Sequence, residues 1–307
     1  MLKLPISARR LQEMYRRGEN IMSYLTSHFK DKQQQEVIEV AYDMQSGCYV
    51  DAMINAPHYV EFKHQYIDAL FNELSQLQSI NSILDAGVGE GITLAPLLDK
   101  YNGAIDSYAV DISWSRLSYA KEWLAKQGHN STRLCSGNLT DLPFADNSID
   151  LVFTSHAIEP NHGNEKAVIQ ELFRIARKYV VLLEPSYEMA CDEGKARMER
   201  LGYCRDIKEH CLALGYRVLK HERFAHSSNP LNPTAITVIK KLTDTPLPEH
   251  ILACPEHKTP LIAGAGALYS EEGLRAYPII ADIPCLRVEN SVFASHFTKF
   301  NAQDTDK

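Results

Sequence analysis

The chain contains 307 residues, a length that accommodates about two domains of roughly 100–200 residues each. Hydrophobic residues make up 45% of the chain and charged residues 23%, a balance typical of folded globular proteins that excludes disorder on a large scale. The formal net charge of −7 argues against a protein built to grip a nucleic-acid backbone, which requires an excess of basic residues.

Regions of different sequence character follow one another along the chain. Residues 1–80 are rich in charge and glutamine and show helical spacing of their apolar residues. Residues 81–241 alternate short apolar runs with helical patterns. Residues 242–250 contain two prolines and are predicted to be a linker. Residues 251–300 have their own pattern of Cys, Pro and Gly and are predicted to form a small separate domain.

The central region is predicted to alternate strands and helices. Short apolar runs indicate strands, and apolar residues at helical spacing indicate helices. The predicted strands are 82–85, 107–111, 149–153, 179–183, 216–224 and 234–240, and the predicted helices lie within 114–126, 168–176 and 207–214. This order predicts an α/β fold with a mostly parallel sheet and helices on both faces.

A glycine-rich turn, DAGVGEG at 85–91, follows the first of these strands. Glycine allows the chain to turn sharply and leaves room for a ligand against the backbone. The dinucleotide fingerprint would need a further glycine where this chain has Ile92. Asp85 precedes the turn, and a carboxylate at that place suits a positively charged ligand better than a pyrophosphate. An ordinary strand-to-helix turn is the alternative interpretation.

A second acid, Asp111, ends the next predicted strand, 22 residues beyond Gly89. A carboxylate there can accept hydrogen bonds from both hydroxyl groups of a ribose. Capping of the helix that begins near Trp114 is the alternative role. Because ligands of such sheets bind beyond the carboxyl ends of the strands, Asp111 and the glycine turn are predicted to face one crevice.

The turn, Val110-Asp111 and the segments NLTDLPF (138–144) and NSID (147–150) together resemble the class I S-adenosylmethionine-dependent methyltransferases. The most similar group includes the ubiquinone/menaquinone-biosynthesis methyltransferases, and the resemblance covers residues 81–241. It implies a Rossmann-like, seven-stranded, mostly parallel sheet with an antiparallel last strand. It also implies an N-terminal helical lid and S-adenosyl-L-methionine as cofactor.

The resemblance also implies which residues bind the cofactor. Asn138 stands where the family often has Asp, and an amide can still donate and accept hydrogen bonds. The implied contacts are Asp85, Gly87 and Gly89 with the methionine part, Asp111 with the ribose, Ile112, Asn138 and Leu139 with the adenine, and Ser155 beside the methyl group.

The segment after the strand at 149–153 holds the candidate catalytic residues. Methyl transfer to a hydroxyl group requires removal of a proton, and the family places the methyl group and acceptor beside this segment. His156 is the preferred general base, because an ordinary histidine pKa of about 6.5 suits proton removal at neutral pH. Glu159 and His162 are rivals, and structural hydrogen bonding is the alternative role for each of the three.

Four further residues are candidates for contact with the acceptor. Tyr42 and Tyr49 lie in an aromatic and polar, glycine-broken segment of the N-terminal region that suits a lid. Glu184 and Tyr187 follow the most apolar strand and are predicted to emerge at the same sheet edge. Glu184 could bind an acceptor amine or hydroxyl, or form a structural ion pair with a nearby arginine.

The C-terminal segment contains CPEHKTPL (254–261) and YPIIADIP (277–284), which resemble the zinc-ribbon proteins that partner some tRNA and protein methyltransferases. His257 replaces the second cysteine of that family, and no Cys or His stands where the second pair belongs. A structural zinc site needs four ligands. We therefore expect a ribbon-like domain with no metal that packs on the central domain or on a partner.

Cysteine usage and hydropathy predict a cytoplasmic protein. The seven cysteines are irregularly spaced and form no CxxC pair, as is typical of reduced thiols. No apolar run approaches the length of a membrane span, and the start of the sequence has no apolar core of signal-peptide length.

The sequence thus predicts an enzyme that moves a methyl group to oxygen or nitrogen of a small molecule or biosynthetic intermediate. A non-catalytic binding or scaffold protein and an RNA or protein methyltransferase are the alternatives. A homodimer, or a protein partner that contacts the C-terminal domain, is left open.

Overall fold

A seven-stranded sheet lies at the centre of the protein, of which a computed structural model describes residues 4–29, 34–102, 105–242 and 245–301. The strand order is β3-β2-β1-β4-β5-β7-β6, and only pairings that involve β7 are antiparallel. This arrangement confirms the predicted fold class. The strands are β1 (Ser82–Ala86), β2 (Asp106–Asp111), β3 (Arg133–Ser136), β4 (Ile149–Ser155), β5 (Ala176–Pro185), β6 (Arg217–Arg223) and β7 (Thr234–Lys240).

Helices cover both faces of this sheet, and the strand sequences show why. Successive side chains of a strand point to opposite faces. Ile83 and Phe153 belong to one buried cluster, whereas their neighbours Leu84 and Val152 belong to the other. The helices after β1 are α6 (Leu94–Lys100), α7 (Trp114–Lys126), α8 (Glu165–Ile175), α9 (Asp192–Leu201) and α10 (Ile207–Ala213), and residues of all but α9 join these two clusters.

The N-terminal region is helical as predicted. Its last and longest helix packs on the sheet, where Ile67 and Leu70 join the same cluster as Ile83. The first three helices enclose a small core of their own around Leu11 and Leu25. The five helices are α1 (Ala8–Arg16), α2 (Ile21–His28), α3 (Gln34–Met44), α4 (Cys48–Asn55) and α5 (Pro57–Leu74).

The C-terminal region forms a small antiparallel sheet that docks on the edge strand β3. The backbone N–H of Leu286 donates to the carbonyl of Ser136 at 3.0 Å, and that of Ala253 donates to Pro143 at 3.0 Å. An edge strand with unpaired backbone groups is thereby covered. The elements are β8 (Ile262–Gly264), β9 (Ala267–Ser270), β10 (Arg275–Ile280), β11 (Ile283–Pro284), β12 (Val292–Phe293) and α11 (Phe297–Asn301).

The structure differs from the sequence-based prediction in two details. The predicted helix at 168–176 ends at Ile175, and Ala176 begins β5 instead. The short strand β3 is absent from the predicted strands, because half of its residues are not buried and it carries no apolar run. Positions 243 and 244 of the predicted linker lie outside the described residues.

The C-terminal sheet contains the segment that resembles a zinc ribbon. Cys254 is fully buried there, with its Sγ 3.6 Å from the hydroxyl of Tyr277. Among the residues that the structure describes, no group of three or more His, Cys, Asp or Glu side chains could hold a metal ion. None of the described helices is both long and apolar enough to cross a membrane.

Candidate active site

The glycine turn after β1 passes closely beneath the loop after β4. Gly87 has φ +90°, and a Cβ added to it would lie 2.2 Å from the Cβ of Ala157. The backbone N–H groups of Gly87 and Val88 both donate to the carbonyl of Val110, at 2.8 and 3.0 Å. Only glycine fits this position, because both the left-handed backbone and the lack of space exclude a side chain.

Asp111 joins this turn to the start of α7. Its Oδ2 accepts the N–H of Gly89 at 2.8 Å, and its Oδ1 accepts the N–H of Ser113 at 2.9 Å. Burial raises the pKa of Asp111, while Arg116 and these N–H donors act in the opposite direction. Each carboxylate oxygen keeps a second lone pair, so the side chain can still accept hydrogen bonds from ligand hydroxyl groups.

Asp85 is a buried carboxyl group with an unused acceptor. It is 1% exposed, and its Oδ2 has no hydrogen-bond partner. Burial raises its pKa to about 8, although Lys63 from α5 opposes that shift. Lys63 is itself buried, donates to Thr93 Oγ1 at 2.7 Å, and has a pKa lowered by burial to about 8. A cationic ligand beside Asp85 would satisfy the free oxygen.

A cavity opens between this turn, the start of α7 and the loop after β4. It encloses about 520 Å³ of empty space, part of it open to solvent. The crevice lies where the strand order reverses at β1, as expected for ligand sites of doubly wound sheets. Of the residues predicted from the sequence, its lining includes Tyr42, Gly87, Asp111, Ile112, Asn138, Leu139 and His156.

His156 reaches this cavity from a strained backbone position at the end of β4. Its φ is +58°, a left-handed conformation that is uncommon outside glycine. The ring Nδ1 lies 3.2 Å from Oε2 of Glu159, and Nε2 lies 3.2 Å from Oγ1 of Thr234. With an ionised Glu159 accepting from Nδ1–H, Nε2 is an acceptor for the Thr234 hydroxyl. The three side chains form a hydroxyl–imidazole–carboxylate row.

Glu184 supports the loop that carries His156. It is 2% exposed, and its two carboxylate oxygens accept the N–H groups of Ala157 and Glu159, both at 3.1 Å. Burial raises its pKa to about 7, while His156, the side chain of Thr154 and backbone hydrogen bonds from this loop act in the opposite direction. The structure therefore places Glu184 beneath the loop rather than in an ion pair with an arginine.

The other predicted residues lie outside the cavity lining. His162 is half exposed, with Nδ1 3.0 Å from Oε1 of Glu165. The hydroxyl of Tyr187 donates to Glu199 at 2.7 Å on the protein surface. Ser155 Oγ lies 2.9 Å from the hydroxyl of Tyr66, and Tyr49 is 38% exposed at the rim.

Arg116 is a site residue that the sequence reasoning missed. This α7 side chain is 6% exposed and lines the cavity. Its Nε donates to the carbonyl of Tyr42 at 3.1 Å, and its guanidinium lies 4.5 Å from the ring centre of Tyr42. The available signal was its position on the buried stripe of α7, among Leu117, Ala120 and Leu124, where a charged residue is out of place.

Two further acidic residues tie the N-terminal helices to the site. The carboxylate of Asp43 accepts hydrogen bonds from the hydroxyl groups of Ser113 and Ser115, each at 2.9 Å. Glu90, inside the glycine turn, accepts backbone N–H groups at the start of α4. These contacts join residues that are 40 or more positions apart, so no local sequence pattern indicates them.

These features define a doubly wound α/β domain with a ligand crevice at its topological switch point. Residues 83–179 match the family described as methyltransferase domain. The same part of the chain resembles ajmaline N-methyltransferase of Rauvolfia serpentina, at 33% identity over 96 residues. That match covers 31% of this chain and 32% of the relative, so the chain spans about a third of the relative's length.

Comparison with solved structures gives the same fold. Magnesium protoporphyrin IX methyltransferase from Synechocystis PCC 6803, solved with bound SAM, superimposes with TM-score 0.50 and 16% identity over 68% of this chain and 97% of that one. A candidate sarcosine dimethylglycine methyltransferase from Galdieria sulphuraria gives 0.49 and 14% over 58% and 86%. At 16% identity the first likeness shows the fold alone, and no conclusion is based on the second.

Proposed function

We propose that this protein is an S-adenosylmethionine-dependent methyltransferase that acts on oxygen or nitrogen of a small-molecule acceptor. The observation that carries the proposal is the meeting of the Gly87 turn, Asp111 and His156 in one cavity. The free Oδ2 of Asp85 also fits a ligand that carries a positive charge. The methyltransferase-domain match over 83–179 supports the same reading.

In this proposal the residues at the carboxyl edge of the sheet would hold the cofactor. The bound cofactor supplies a methyl group on a sulfonium, which makes that carbon electrophilic. Asp111 accepts hydrogen bonds from the ribose, and Ile112, Asn138 and Leu139 enclose the adenine. Asp85, Gly87 and Gly89 face the amino-acid end. The hydroxyl of Ser155 is hydrogen-bonded to that of Tyr66, so Ser155 supports this end of the site and does not bind the cofactor directly.

His156 is the proposed general base, with Glu159 and Thr234 as its positioning residues. A hydrogen bond from Nδ1–H to the Glu159 carboxylate favours the tautomer in which Nε2 carries the lone pair, and the Thr234 hydroxyl donates to that lone pair. A hydroxyl or ammonium group of the acceptor can displace the Thr234 hydroxyl and give its proton directly to Nε2. Alternatively, it gives its proton to the Thr234 oxygen while the Thr234 hydroxyl proton moves to Nε2. His162 is the weaker candidate, because its ring is outside the cavity and engaged with Glu165.

The remaining regions are assigned by what they cover. We propose that residues 1–80 form the lid over the acceptor, with Tyr42 inside the cavity and Tyr49 at its rim. Residues 81–241 form the catalytic domain, and residues 251–300 form a ribbon-like unit that covers β3 beside the adenine segment. Lys258 secures this unit by donating to Asp141 at 2.7 Å and to Glu171 at 3.0 Å.

Calorimetric titration of the full chain with S-adenosylmethionine and S-adenosylhomocysteine tests the proposal. We expect micromolar-range binding of both. Production of S-adenosylhomocysteine is then followed against a panel of small amines, alcohols and phenols. Asp192→Asn, on the exposed start of α9, is the matched control for substitutions at Asp111. No binding by a folded sample would exclude the function, and binding without turnover on any acceptor class would favour a scaffold.

A further inference from the structure

Arg197 on α9 lies between two chain segments that reach His156. Its Nη1 donates to Oδ1 of Asn232 at 2.5 Å, and its guanidinium lies 5.6 Å from the ring centre of Tyr203. The guanidinium is also hydrogen-bonded to the hydroxyl of Tyr203. Asn232 is 8% exposed, and a charged donor to a buried amide makes a stronger hydrogen bond than a neutral one. One side chain of α9 therefore connects the two segments.

The first segment contacts Glu159. The hydroxyl of Tyr203 is hydrogen-bonded to the Glu159 carboxylate, and the backbone N–H of Cys204 donates to the Glu159 carbonyl at 3.0 Å. Burial and then the Glu159 carboxylate raise the pKa of Tyr203 to about 12, while Arg197 acts in the opposite direction. The phenol is therefore protonated at neutral pH and donates to the carboxylate. That carboxylate is the group that lies 3.2 Å from Nδ1 of His156.

The second segment carries Thr234, whose Oγ1 lies 3.2 Å from Nε2 of His156. Asn232 precedes Thr234 by two residues. Helix α9 packs closely on this segment, because a Cβ added to Gly194 would lie 2.6 Å from the carbonyl oxygen of Leu231. A shift of α9 or of Asn232 is therefore transmitted to the hydroxyl that faces the imidazole.

These contacts form a closed ring of side chains and short segments around the imidazole. Starting from His156, its members are Glu159, Tyr203, Arg197, Asn232 and Thr234. The tautomer of a histidine is set by the hydrogen bonds that its two ring nitrogens make. Both nitrogens of His156 contact groups whose positions depend on the same guanidinium.

We propose that Arg197 and Tyr203 are positioning residues for His156, which they hold in the tautomer whose Nε2 carries the lone pair. The inference rests on the proposed function, in which His156 is the general base. Neither residue lines the cavity, so neither is expected to contact the cofactor or the acceptor. Their effect on turnover passes through Glu159 and Thr234.

The tautomer of His156 can be measured by nitrogen NMR on the full chain that carries isotope-labelled histidine. The His156 signals are assigned by their absence in His156→Gln. At a pH where the imidazole is neutral, we expect the Nδ1–H form in the unmodified protein. In Arg197→Met and in Tyr203→Phe the ratio of the Nδ1–H to the Nε2–H form should fall about 3- to 10-fold, as loss of one hydrogen bond implies.

Kinetics of the same variants give a second measurement. In Arg197→Met, kcat should fall about tenfold, while the acceptor KM and the affinity for S-adenosylhomocysteine stay within about threefold. Arg197→Lys retains the charge but lacks the fork that reaches two partners, so its rate should be intermediate. The double variant should lose less than the product of the two single losses, because both residues act on one imidazole.

Arg200→Gln is the matched control, since it removes an exposed arginine from the same helix and should change neither the tautomer nor kcat. Thermal unfolding checks that each variant is folded. An unchanged tautomer ratio in folded Arg197→Met and Tyr203→Phe would overturn the inference, as would equal losses of kcat and cofactor affinity. The NMR measurement requires neither cofactor nor acceptor. A folded protein that binds no cofactor would therefore refute the proposed function, while the tautomer ratio still decides the roles of Arg197 and Tyr203.

Discussion

Glu90 and Gly47 are joined by a hydrogen bond of 2.9 Å, from the backbone N–H of Gly47 to Oε1 of Glu90. The second carboxylate oxygen accepts the N–H of Val50 at 2.7 Å. One acidic side chain of the glycine turn therefore caps the start of α4, where the helix presents free N–H groups and a partial positive charge. Glu90 thus joins the glycine turn to the N-terminal helices, so these two sides of the cavity are held together without a ligand.

Glu90→Gln should weaken the contact between the glycine turn and the N-terminal helices. The amide keeps one acceptor oxygen and presents an NH₂ group to a second N–H donor, which leaves a buried N–H unsatisfied. We expect the free energy of unfolding to fall by about 1–3 kcal/mol and proteolysis within the N-terminal helices to accelerate. Chemical unfolding and limited proteolysis measure the two effects. Glu122→Gln, an exposed acid on α7, is the control and should behave like the unmodified protein.

Asp111→Ala should weaken cofactor binding by about 1–3 kcal/mol, the cost of a lost charged acceptor. The same change leaves the N–H groups of Gly89 and Ser113 without their partner, so some loss of stability is expected as well. Calorimetry with S-adenosylhomocysteine gives the affinity, and circular dichroism checks that the sample is folded. Unchanged affinity in a folded variant would show that Asp111 serves only to join the turn to α7.

His156→Ala and Thr234→Val should lower turnover while cofactor affinity stays within about threefold. Loss of a general base typically costs a factor of about 10²–10⁴, whereas loss of a positioning hydroxyl costs less. Thr234→Ser retains the donor to Nε2 and should restore most of the rate. The pH dependence of kcat separates the two roles. Replacement of the base should abolish the ionisation that controls kcat, whereas the Thr234 variants should retain it. A collapse of cofactor affinity in His156→Ala would contradict its place on the acceptor side.

The sequence predicted those parts of the molecule that local patterns encode. The apolar residues of the strands and of α7 recur at strongly regular spacing. The glycine turn and Asp111 lie at strand ends, where ligand sites are expected. Arg116 and Glu90 were not found, because their roles depend on the N-terminal helices folding back over the turn. A strand such as β3, which has no apolar run, becomes regular only through its neighbour β2 and the C-terminal unit.

Asp85 should make both stability and cofactor affinity depend on pH. Lys63 from α5 and Asp111 from β2 are the charged groups that face it. Because its pKa is raised to about 8 in the folded protein, the folded state holds a proton between about pH 4 and pH 8 that the unfolded state releases. Its contribution to stability is therefore greatest at acidic pH and is lost as the pH rises through about 8.

Asp85→Asn should remove this dependence, because the amide resembles the protonated carboxyl group in shape. Below about pH 4 the variant and the unmodified protein should be equally stable. Between about pH 4 and pH 8 the variant should gain about 1 kcal/mol of stability per pH unit relative to the unmodified protein. Cofactor affinity should increase with pH, in the direction opposite to stability. The ammonium group of the cofactor favours the ionised form of Asp85, so binding should release a proton. This increase toward pH 8 is expected in the unmodified protein only. Calorimetry in buffers of different ionisation enthalpy measures that proton. Parallel stability curves for the two proteins, with no proton released on binding, would show that Asp85 is already ionised and paired with Lys63 in the free protein.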